Sequence, residues 1–129
     1  MKHLSLVHAG AVALAALVPA LAAAEALDGR SFHGVFLERG KTSGDADTLI
    51  FKDGRFRSTA CDRYGYAEAA YKTVASADGI RFETQTVSPK YGKLSWSGVV
   101  RGGKLDATAM MEQKGSAPVE NWVVAAEKK

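Results

Sequence analysis

The sequence predicts an all-β fold, an eight-stranded antiparallel up-and-down β-barrel with no substantial helix. Three observations point there. Short segments alternate apolar and polar residues with period two, the pattern of half-buried strands. Turn-forming pairs separate them: Asp53-Gly54, Asp78-Gly79 and Gly102-Gly103. The stretch from Gly79 to Met111 can also be read with its register. If Gly102-Gly103 is a two-residue loop, Val100 faces Leu105, Gly98 faces Ala107, Trp96 faces Ala109 and Leu94 faces Met111 on one apolar face. Ser95, Ser97, Asp106, Thr108 and Glu112 share the other, which suits water.

The chain of 129 residues opens with a basic Met1-Lys2-His3 and an apolar run from Leu4 to Leu21. Small-x-small cleavage sites come next, at Ala20-Leu21-Ala22 and Ala22-Ala23-Ala24. This is the pattern of a secretory signal peptide, residues 1–24. The expected product is exported, periplasmic or secreted, with no membrane span in the mature chain. Residues 25–129 then form one β-barrel domain. Loss of Lys2 lowers the formal net charge from +3 to +2. The remaining charges are interspersed, which suits solubility and gives no nucleic-acid footprint.

Ser31 to Glu38 is the first strand, with Phe32, Gly34 and Phe36 on one face and His33, Val35 and Leu37 on the other. Both faces are apolar, so its facing stays open. Arg39 to Ala46 is a connection rich in turn formers. Thr48 to Lys52 and Arg55 to Ala60 flank Asp53-Gly54, a type I′ signal that pairs Phe51 with Phe56 and Leu49 with Ser58. Cys61 to Gly65 is a second connection. Tyr66 to Val74 reads as a strand, although its alanines also suit a helix. A loop at Asp78-Gly79 would set Ala75 against Phe82, Thr73 against Thr84 and Tyr71 against Thr86. After Met111, Gln113 to Val119 carries breakers, and Asn121 to Ala126 is the last strand, with Trp122 and Val124 on one face.

Closure into a barrel removes exposed strand edges, and the short links favour it over a sandwich. The connections sort by parity. The three tight turns lie at one end, and the longer connections ring an open end where a ligand can enter. The expected interior includes Leu49, Phe51, Phe56, Tyr71, Phe82, Leu94, Trp96, Leu105, Met111 and Trp122. Such a barrel either fills with side chains or holds one small ligand. The expectation is a filled lower half with any pocket near the open end.

At that end Arg39, Lys41, Arg63, Lys90 and Lys114 bring positive charge, and Tyr64, Tyr66 and Tyr91 bring amphipathic rings. The candidate ligand-binding residues are therefore Arg63, Tyr64, Tyr66, Tyr71, Tyr91, Trp96 and Trp122. The rim would receive a polar or anionic head, or dock a partner protein. Cys61 is the only cysteine. It is either a small buried hydrophobe, a reactive thiol or one half of an intermolecular disulfide. His33 is the only histidine after residue 24, which excludes a multi-histidine metal site. It lies far along the chain from Cys61, so no thiolate pair is expected. With no phosphate loop, dinucleotide fingerprint or serine-nucleophile motif, the expected protein is not an enzyme and carries no cofactor or metal.

The strand order and length resemble the calycin superfamily, in particular small lipocalin-like domains of exported bacterial proteins. Gly29-Arg30-Ser31-Phe32 stands nearest to that family's Gly-x-Trp, with phenylalanine displaced by one position, and the chain has no room for the helix that comes after the barrel in larger lipocalins. The resemblance implies binding of a small, largely apolar or amphipathic molecule. The alternative is a protein-binding module, such as a periplasmic peptidase inhibitor working through Glu25 to Arg30 and the open-end loops.

Overall fold

The computed structural model describes residues 26–129; the expected signal peptide lies outside the described residues. Eight antiparallel strands close in sequence order into an up-and-down barrel. They are β1 (Ser31–Glu38), β2 (Asp45–Lys52), β3 (Arg55–Ser58), β4 (Ala69–Ser76), β5 (Gly79–Ser88), β6 (Gly92–Arg101), β7 (Lys104–Glu112) and β8 (Val119–Glu127). Among the described residues the single helical piece is a 3₁₀ turn, η1 (Thr59–Tyr64), between β3 and β4. β8 closes the barrel on β1, from Phe32 opposite Glu127 to Glu38 opposite Asn121. Among the described residues no helix is long and apolar enough to cross a membrane.

Two hairpins are set directly by their turns. Asp53 and Gly54 both take positive φ, 53° and 75°, as a type I′ turn requires. Phe51 then pairs with Phe56 and Leu49 with Ser58. At Gly102-Gly103 only the first glycine has positive φ, and β6 and β7 pair as expected, with Trp96 opposite Ala109 and Leu94 opposite Met111.

The β4–β5 hairpin differs. Ser76 pairs with Gly79, so Ala77-Asp78 is the loop; Ala75 meets Ile80, Thr73 meets Phe82 and Tyr71 meets Thr84. Gly79 is needed inside the ladder, where a Cβ would strike the Val100 carbonyl oxygen. The register moves by two residues, an even shift that leaves every side chain on its expected face.

β4 begins at Ala69 rather than Tyr66, and β3 stops at Ser58, because η1 occupies the space between them. The largest correction falls in β8. Asn121, Val123 and Ala125 point inward, opposite Ala109, Ala107 and Leu105. Trp122 and Val124 lie outside. Both faces of β8 are apolar, so side-chain size did not reveal the buried one. The small inward residues fit beside the β7 alanines, and Asn121 satisfies its amide on the Ala109 and Val119 carbonyls. In β1 the inward face is that of Phe32 and Phe36.

The lower barrel is filled. Phe51 stands edge-on to Phe32, Tyr71 and Phe82 at 5.0–6.1 Å, and Phe56 packs on Trp96 at 4.8 Å. Large rings meet small neighbours, as Phe82 meets Gly98, which is how an interior reaches crystalline density. Residues 26–30 close the tight end. Leu27 is fully buried, and the Asp28 carboxylate accepts from the Gly54 N–H at 3.0 Å and the Tyr71 hydroxyl at 2.5 Å. Arg30 donates to both carboxylate oxygens of Glu127 and to the Gly102 carbonyl.

Candidate functional site

At the open end the barrel is not filled. An apolar cavity of about 310 Å³ opens there, at the small end of the ~300–1,000 Å³ typical of small-molecule sites. Phe36 of β1 and its pairing partner Asp45 of β2 line one side. Leu94 and Met111, paired across β6 and β7, line the other. The wall between them is built from η1 and its continuation toward β4: Ala60, Cys61, Tyr64 and Tyr66, with Tyr91 from the β5–β6 turn.

η1 exists because a buried carboxylate organises it. Asp47, 1% exposed, projects inward from β2. It accepts from the Ala60 N–H at 3.0 Å, the Ser58 hydroxyl at 2.7 Å and the Thr59 hydroxyl at 3.4 Å. The Ala60 N–H is one of the donors that the first turn of a helix leaves unpaired. Burial pushes the Asp47 carboxyl above its ordinary range, against the opposing pull of those hydrogen bonds. Gly65 ends the turn at φ 84°, its N–H on the Asp62 carbonyl.

A second tie sets the mouth. The Ser88 hydroxyl donates to the Tyr64 carbonyl at 2.6 Å and accepts from the Lys90 and Tyr91 N–H groups. It thereby joins the end of η1 to the β5–β6 turn. The Tyr64 and Tyr91 rings meet as a result, centroids 5.5 Å apart and planes at 90°. Arg63 lies 5.0 Å over Tyr64, and Lys90 lies 5.3 Å over Tyr91. The Tyr66 hydroxyl donates to the Tyr91 carbonyl at 3.4 Å.

Four expected site residues therefore come together: Cys61, Tyr64, Tyr66 and Tyr91. Arg63 stands beside them without lining the cavity; its guanidinium donates to Asp45 at 3.0 Å. Tyr71 is buried at the opposite end, tied to Asp28. Trp96 is buried deeper in the barrel, its Nε1 donating to Thr86 at 3.1 Å and its ring 5.9 Å from Phe36. Trp122 is not in the interior at all: it is 39% exposed on the outer face and donates to Glu120.

Cys61 is 4% exposed and within 3.3 Å of the Ser58 oxygen. Since the Ser58 proton goes to Asp47, the thiol is the donor to Ser58. Burial, followed by the fields of nearby aspartates, pushes it up to about 11. That placement withdraws the sulfur from an intermolecular disulfide and disfavours the thiolate that reactivity needs. His33 lies on the outer face, 3.0 Å from the Thr48 hydroxyl, and forms no pair with Cys61. Among the described residues no three His, Cys, Asp or Glu side chains gather as metal ligands.

Phe36 and Asp45 were missed. The facing of Phe36 could not be read from a strand apolar on both sides, and Asp45 looked like part of a connecting loop. Residues 26–30, needed by the inhibitor alternative, plug the end opposite the open-end loops. No protein-family model matches the chain, and no curated protein or solved structure matches it either.

Proposed function

We propose that the chain is an exported, non-enzymatic, lipocalin-like binding protein that holds one small, largely apolar molecule at the open end of its barrel. The observation that carries this reading is the contrast within one interior. The lower barrel is packed solid with rings, whereas the same interior stops short of the open end and leaves an apolar cavity of about 310 Å³. A barrel built for stability alone would gain by filling that space, because larger apolar side chains there would remove more apolar surface from water. The polar groups of the wall support the same reading. The Tyr66 hydroxyl and the Cys61 thiol are satisfied within the protein, so the buried part of a ligand meets an apolar surface, and its polar end belongs at the mouth.

The test uses N-phenyl-1-naphthylamine, a neutral apolar fluorophore that brightens on leaving water. Saturable 1:1 brightening is expected with the wild type and is expected to be lost in Met111→Trp, which fills the cavity. Brightening that survives the substitution with unchanged stoichiometry would place the fluorophore elsewhere and refute the reading.

A further inference from the structure

The mouth of the cavity says more about the ligand than that it is apolar. Its rings belong to Phe36, Tyr64, Tyr66 and Tyr91, and among the described residues the one charged side chain in the lining is the Asp45 carboxylate. Arg63 and Lys90 stand nearby but do not line it. Tyr64 and Tyr91 form a right-angled corner. Aromatic faces around a carboxylate are the surroundings that an alkylated ammonium group prefers, since ring faces are negative and such a cation is weakly hydrated.

The geometry points to an apolar cation, an alkylated ammonium with a short hydrocarbon body, as the ligand of the open-end cavity. This rests on the cavity being a small-molecule site and adds the sign of the ligand's charge, opposite to the sign that the basic residues of the rim suggest from sequence.

Three further observations favour the cation. The rings at the mouth already hold cations: Arg63 over Tyr64 at 5.0 Å and Lys90 over Tyr91 at 5.3 Å. Arg63 pairs with Asp45 at 3.0 Å, so this carboxylate already takes a cation at the mouth. Both members of that pair are more than half exposed, so the pair is weak and Asp45 can exchange one cation for another at little cost. The Cys61 thiol stands at the cavity wall, among three aspartates. After burial, the charges acting on it are the carboxylates of Asp47, Asp62 and Asp45, all of which push it upward. Asp47 lies directly behind the wall, and Asp62 is held on η1 by Arg57. Lys90 stands outside the cavity, above the Tyr91 ring.

The test is displacement of N-phenyl-1-naphthylamine by three probes of one chain length: hexyltrimethylammonium, neutral hexanol and hexanoate. The cation is expected to displace at a concentration about tenfold below either competitor, within the range that desolvated cation–aromatic contacts supply. Two exposed substitutions then move the cation in opposite directions. Asp45→Asn is expected to weaken it severalfold. Arg63→Ala, which frees Asp45, is expected to tighten it, whereas an anion site would lose affinity on losing Arg63. Equal displacement by all three probes, or preference for hexanoate with loss in Arg63→Ala, overturns the charge assignment while leaving the cavity reading intact. Failure of the fluorophore itself to bind removes both.

Discussion

Asp47 is the residue on which the open end depends, and its burial carries a pH signature. Its folded pKa lies above its ordinary value of 3.8, chiefly because burial penalises the charged form. Between the two values the folded protein binds more protons than the unfolded chain, so stability falls as pH rises from 3.8 through that window. Denaturant unfolding across that range should show the wild type losing stability relative to Asp47→Asn as pH rises. Parallel profiles would mean that Asp47 is not buried as described. Cys61 gives a second check at the same scale. Its displacement from 9.0 to about 11 lowers the thiolate fraction about 100-fold at pH 8. Iodoacetamide should therefore alkylate the native protein at least about 100-fold more slowly than the urea-unfolded chain, as measured by mass spectrometry. Comparable rates would return Cys61 to the surface.

At the level of elements, facing decides what each tryptophan does. Trp96 is 2% exposed and surrounded by rings, whereas Trp122 lies outside. Trp96→Ala should cost about 3–5 kcal/mol, and Trp122→Ala less than about 1 kcal/mol, both read from denaturant midpoints. A reversed order would mean that β8 is turned the other way. The two hairpins at Asp53-Gly54 and Gly102-Gly103 were legible in sequence because a two-residue turn fixes register locally. Gly79 misled because it stands just past the loop, where its φ of 134° and the close approach of β6 both call for glycine. β8 misled because Trp122 outranks Asn121 in hydrophobicity, while the space inside is set by Ala107 and Ala109. η1 was hidden because its cap, Asp47, sits on another strand. Local signals reveal turns; contacts between distant segments decide what a turn cannot.

For the molecule as a whole, closure gives two unlike ends. Residues 26–30, with the Arg30–Glu127 and Asp28–Tyr71 contacts, seal one. The other is spanned by η1 and the β5–β6 turn, beside a seam where β3 and β4 pair at only two positions. The tyrosines of the mouth were legible as a rim because loop parity alone collects them at one end. The cavity was not, since it depends on how far the rings of the lower barrel reach. Native mass spectrometry of the protein, purified gently from the cells that make it, tests the central reading most directly. A reproducible 1:1 adduct of small-molecule mass is expected on the wild type and is expected to be missing from Met111→Trp. A bare mass for the wild type, or an adduct retained when the cavity is filled, would contradict a ligand held at the open end.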